Sequence, residues 1–165
     1  MATSTTTRQR RASARHPGQP GDAIALLKAD HAEVKGWFED YEGLKDNAAK
    51  GALAAKICKA LKVHAKIEEE IFYPAARAAT GDGPLLDEAQ VEHAGAKDLI
   101  AQIEAMKPGD DLYDAKVKVL GEQIVHHVKE EEGELFPEAR HAKMDLTALG
   151  ARLAARKKEL MAGTA

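Results

Sequence analysis

The chain has 165 residues, a length that suits one domain with one core. Hydrophobic residues make up 44% and aromatics only 4%; Ala, Leu, Lys and Glu are prominent, and no period-two alternation marks a strand. A net charge of −3, no apolar run near the roughly 18 residues that span a bilayer, and one cysteine, Cys58, argue against a nucleic-acid face, a membrane segment and a disulfide framework, and favour a reducing, cytoplasmic setting.

Residues 1–21 carry four Arg and no acid. They lack the apolar stretch of a secretory signal and read as a disordered basic tail, in preference to an organellar transit peptide, with His16 incidental. A first helix is predicted to open at Asp22, an N-cap after "PGQPG". Its apolar stripe is Ile24, Leu27, Val34, Phe38 and Tyr41, with His31 on the same line. The second helix runs from about Ala48 to the "YP" at 73–74, along Leu53, Ile57, Leu61, His64, Glu68 and Ile71. "TGDGP" at 80–84 breaks it. The third, from about Leu85 to Met106, aligns Leu86, Ala89, His93, Ala96, Ile100 and Ile103, and "KPGDD" at 107–111 is the next turn. The fourth, from about Leu112 to Phe136, aligns Val117, Leu120, Ile124, His127, Glu131 and Leu135. A last helix, about 145–161, carries Leu146, Leu149, Leu153 and Leu160, with a basic "RKK" near its end. Intervals of three and four are the amphipathic helix signature. The expected fold is all-α: an up-down-up-down antiparallel four-helix bundle with an additional C-terminal helix, one domain over residues 22–162.

The chain also repeats itself. "HAKIEEEIFYPAAR" at 64–77 and "HVKEEEGELFPEAR" at 127–140 share seven of fourteen positions. At an offset of 62–63, His31 maps near His93, Lys35 to Lys97, His64 to His127 and Glu68 to Glu131. Two similar αα-hairpins facing each other would each bring half of a shared site to a common axis. Residues four apart share a helix face, so each His-x-x-x-Glu pair presents an imidazole and a carboxylate to the core. Unpartnered buried carboxylates are costly, and two facing each other more so; two divalent ions would offset that cost. A lone buried His is ordinarily a hydrogen-bonded core residue, and an "EEE" run ordinarily a solvated face, the reading given to most of Glu69, Glu70, Glu130 and Glu132. Two such pairs in register with two further core-face histidines are not explained that way. His126 points about 100° away from His127 and His141 has no counterpart, so both stand outside the set.

"DH" at 30–31, "HAKIEEEIFYP" from 64, "EH" at 92–93 and "HHVKEEEGELFP" from 126 resemble the hemerythrin family, in its HHE cation-binding branch, from residue 22 to about 140. The resemblance implies a non-haem di-iron centre in the bundle, two iron ions with an oxo or hydroxo bridge, held by His31, His64, Glu68, His93, His127 and Glu131. Such nitrogen-rich ligation suits iron ahead of zinc or manganese. Oxygen-carrying members have a second histidine one turn after the helix-three ligand, where this chain has Lys97, and tend to have an Asp five residues after the helix-four His, where it has Glu131 at four. The departure argues against simple reversible oxygen transport. Lys97 is expected at the pocket edge, where its ammonium would attract an anion at an open metal position, or else to extend into solvent. The resemblance implies a protein that binds, senses or detoxifies oxygen, peroxide or nitric oxide. The alternatives are a di-iron redox enzyme breaking down peroxide and an iron-sensing regulatory module. No general acid or base stands out beside the ligands. The expected partners are a small diatomic or peroxide ligand, with neither nucleic acid nor membrane, on a monomer or weak dimer.

Overall fold

The computed structural model describes residues 21–81 and 83–163; residues 1–20 of the basic tail lie outside the described residues. Among the described residues seven α-helices follow in order: α1 (Ala23–Gly43), α2 (Asn47–Ile67), α3 (Tyr73–Thr80), α4 (Gly83–Glu104), α5 (Tyr113–Glu130), α6 (Phe136–His141) and α7 (Leu146–Ala162). Aspartates open three of them. Asp22, Asp46 and Asp145 accept from the backbone N–H three residues on, at 2.8, 2.8 and 3.0 Å, satisfying donors that a helix start leaves free. Gly81, in the left-handed region at φ 72°, closes α3.

Side-chain pairings give the helix directions. Asp30 meets His64, and Lys56 lies over Trp37 further along, so α1 and α2 are antiparallel. Tyr41 with Asp114, and His31 with Glu132, do the same for α1 and α5; Lys62 with Glu104, and Lys97 with Glu69, do so for α2 and α4. With α4 packed on α5, four long helices close a ring of alternating direction, and α7 lies across α1 and α2. The contact of α7 with the start of α1 is close enough to need Gly150, where a Cβ would fall 2.6 Å from the Gly21 carbonyl oxygen.

The sequence-based helix ends at "YP" and Phe136 need correction. Both helices continue, through a π turn, into α3 and α6. In the π turn Glu68–Phe72 the Tyr73 N–H donates to the Glu68 carbonyl, and in Glu131–Leu135 the Phe136 N–H donates to that of Glu131, each five residues back. Pro74 and Pro137 follow at once. A proline lacks an N–H and its ring crowds the carbonyl four residues earlier, so a wider turn lets the helix pass where a regular one would break.

The apolar interior forms two clusters. One, at the α7 end, holds Ile24, Leu27, Ile67, Phe72, Leu86, Phe136 and Leu153; the other holds Val34, Ile57, Leu61, Ile100, Val117 and Leu120. Of the stripe residues expected to be buried, Phe38, Leu53, Ile71, Ile124, Leu146 and Leu160 are only partly covered, lying at the stripe edges. Between the two clusters runs a layer of buried polar side chains: His31, His64, Glu68, His93, His127 and Glu131.

Candidate metal centre

The structure brings all six residues read from the sequence as ligands into this layer. Each glutamate is the first residue of a π turn, one helical turn after its histidine. Donor atoms of His31, His64, Glu68 and Glu131 all lie within 4.8 Å of one another, as do those of Glu68, His93 and His127. His31 Nε2 and His64 Nε2 are 3.0 Å apart; His93 Nε2 and His127 Nε2 are 3.1 Å apart. Glu68 sits between the pairs, with Oε1 3.0 Å from His64 Nε2 and Oε2 3.3 Å from His93 Nε2. Glu131 Oε2 lies 3.3 Å from His31 Nε2 and 3.5 Å from His127 Nε2.

The outer nitrogens decide what the inner ones are. Every Nδ1 meets a carboxylate: His31 with Glu132 at 2.9 Å, His64 with Asp30 at 3.2 Å, His93 with Glu69 at 2.9 Å and His127 with Glu92 at 2.6 Å. An ionised carboxylate only accepts, so each Nδ1 carries the proton and donates. In a neutral ring that leaves all four Nε2 as bare lone pairs, turned toward two buried carboxylates. Glu68 Oε1 and Glu131 Oε2 have no hydrogen-bond partner at all. Six side chains thus present acceptors to one space, an arrangement that calls for cations and fits two metal ions. The titration of the cage points the same way. Burial disfavours a charged His64, yet Glu68, Glu131 and Asp30 outweigh it and raise its pKa to about 10. Burial likewise opposes charge on Glu68, but His64 and His93 hold its carboxyl well below the ordinary range.

Sequence reasoning missed two parts of this site. Glu69 and Glu132, in acidic runs read as mostly solvated, are half-buried partners of His93 and His31. The signal was in the repeat: Glu69 and Glu132 correspond at an offset of 63, Asp30 and Glu92 at 62. The second is Tyr73. Its hydroxyl donates to Glu131 Oε1 at 2.6 Å and lies 3.2 Å from Glu68 Oε2 and His93 Nε2, and 3.4 Å from His127 Nε2. Burial first, then Glu68 and Glu131, push the phenol pKa well above its ordinary value, so the hydroxyl keeps its proton. Lys97 lines the cavity beside the cage. Its ammonium binds both oxygens of Glu69, at 2.5 and 2.7 Å, and so acts on His93 through that carboxylate. Lys157 of α7 does the same for His64 through Asp30, at 2.5 Å.

Comparison with known proteins agrees with the geometry. A solved structure of a hemerythrin HHE cation binding domain-containing protein from Mycobacterium kansasii superposes with a TM-score of 0.73, at 26% identity, over 85% of this chain and 87% of that one. A DNA nickase from Nostoc sp. strain PCC 7120 is 30% identical over 116 residues, which are 70% of this chain; the match spans about a third of that relative's length, 33%. Among the described residues no helix is long and apolar enough to cross a membrane. Residues 22–139 match the hemerythrin HHE cation binding domain, and the chain belongs to that family.

Proposed function

We propose that the chain binds two iron ions in the buried layer and uses them to bind, sense or detoxify a small oxidant: oxygen, peroxide or nitric oxide. One observation carries this reading: six buried side chains aim ring nitrogens and carboxylate oxygens at one space, with Glu68 Oε1 and Glu131 Oε2 left without a hydrogen-bond partner. His31, His64, Glu131 and Glu68 would hold one ion; His93, His127 and Glu68 would hold the other, with Tyr73 beside it. Bound iron supplies a readily changed oxidation state and an exchangeable coordination position. The chain's own residues do the rest. Asp30, Glu69, Glu92 and Glu132 orient the four imidazoles and strengthen them as donors. A cavity of about 480 Å³ reaches all four histidines, with Val34, Leu61 and Ile100 in its wall, so a small ligand has an apolar approach.

Tyr73 favours the enzyme as a second reading. It places a proton on an oxygen 2.6 Å from Glu131, in a site shielded from bulk water, where peroxide breakdown needs a donor. Anaerobic loading with ferrous iron, then exposure to air, tests the main reading. The expected result is two irons per chain and near-ultraviolet charge-transfer absorption. A chain that retains no iron overturns it. Rapid peroxide consumption by the loaded protein, slowed in Tyr73→Phe, supports the enzyme.

A further inference from the structure

His126, turned away from the cage, gathers donors of its own. Its Nε2 lies 3.3 Å from Glu92 Oε1 and 3.1 Å from Glu130 Oε1, and the three groups offer atoms within 4.8 Å of one another. Donors sharing one metal at about 2.1 Å in neighbouring positions stand roughly 3 Å apart, the spacing found inside the cage. A His-Glu pair one helical turn apart is commonplace on a surface and worth little as an ion pair. Two observations go beyond that. Glu92 comes from the facing helix α4 and is shared: its other oxygen accepts from His127 Nδ1 at 2.6 Å, so the outer cluster is one carboxylate removed from the cage. The cavity of about 480 Å³ also joins the two, with Glu92 and His126 in its lining together with His93 and His127.

We propose that Glu92, His126 and Glu130 form a loading site, where a hydrated divalent cation docks before passing, by way of the shared Glu92, to the buried cage. His126 is 62% exposed, which leaves much of the ion's shell to water. Such a site holds a cation loosely and releases it to six buried donors that hold it tightly. Only the destination rests on the reading of the cage given above.

Cobalt(II) is the probe, because it needs no redox step. Calorimetric titration of the full metal-free chain is expected to show two tight equivalents and one weak one. His126→Ala and Glu130→Gln should weaken the weak equivalent at least tenfold, keep the tight ones, and slow cobalt uptake into the cage several-fold in stopped-flow absorbance. His141→Ala, which removes an exposed imidazole elsewhere, should change nothing. A wild-type chain without the weak equivalent, a weak equivalent undiminished in His126→Ala, or an uptake rate unchanged in both variants overturns the proposal. A chain that takes only the weak equivalent, lost in His126→Ala, upholds the outer site and sinks the reading of the cage.

Discussion

Tyr73 is where the near two-fold symmetry of the centre breaks. Its counterpart in the repeat is Phe136, whose ring stacks on His31 with centroids 5.9 Å apart and planes within 3°. One half of the centre is therefore capped by an apolar ring, and the other by a hydroxyl near His93 and His127. That hydroxyl is the donor to Glu131 Oε1. Tyr73→Phe would leave a buried carboxylate oxygen without it, a loss of about 1–3 kcal/mol. The metal-free chain should lose that much, and the metal-loaded chain less, because a cation then compensates the carboxylate. Urea unfolding of both proteins, with and without metal, checks this. Equal losses in the two states would show that the hydroxyl does not serve Glu131. The two halves of the repeat were legible residue by residue, but spacing along the chain does not distinguish the hydroxyl of Tyr73 from the bare ring of Phe136.

At the scale of the helix, the π turns aim the two glutamates. A π turn holds one residue more than a regular turn, and both begin at the glutamate that faces the cage. Glu70 lies in the first of them, exposed, with its carboxylate 2.7 Å from Arg156 of α7. Deleting Glu70 would remove the extra residue of the π turn, so that α2 meets Pro74 as regular helix and kinks there, turning Glu68 away from His64 and His93 while α2 and α3 each stay helical. The expected variant keeps its far-ultraviolet helical signal and loses metal affinity by at least about tenfold, as when the support of a metal ligand is removed. Circular dichroism with a competitive metal titration checks it; unchanged affinity would show that the π turn does not position Glu68. The sequence carried a hint of this in the two prolines, which by themselves argued for helix ends. A helix that passes a proline needs packing on both sides to hold it, and periodicity does not report packing.

Across the whole molecule, a polar layer divides the core, and its charges make stability depend on pH and metal. The sign can be worked out for the metal-free chain. Glu68 is held below its ordinary 4.5, so its contribution is present above about that pH and is lost as pH falls through the lower folded value. His64 is raised from 6.5 to about 10, so its contribution is complete below 6.5 and is lost as pH rises toward 10. The metal-free protein should therefore be most stable between these ordinary values. Metal binding displaces the His64 proton, so affinity rises with pH over the range where metal-free stability falls. At a free metal level near 100 times Kd, a single ion adds about 2.7 kcal/mol. The gap in melting temperature between loaded and chelated protein should widen from pH 6.5 upward. A gap that stays constant or narrows would mean that metal and proton do not compete at His64.

The sequence by itself determined the four long helices and the last one, their order and the six inward-facing residues, but not the π turns that carry two of the helices past a proline. The helices and the six residues follow from spacing along one chain, where residues three or four apart share a face whatever packs against them. Even the orienting carboxylates were written in the repeat, Asp30 beside His31 and Glu92 beside His93. Only the tertiary structure decided which histidine each carboxylate serves. Asp30 turns to His64 on α2 and Glu92 to His127 on α5, each across a helix boundary rather than to its neighbour in the chain. Tyr73 reaches four cage residues, on α4, α5 and the two π turns, and Lys97 and Lys157 act at one remove through Glu69 and Asp30. Hydrogen bonds between helices depend on rotation and depth of contact to a fraction of an ångström, and a pattern of three and four fixes the facing side of a helix but neither of those.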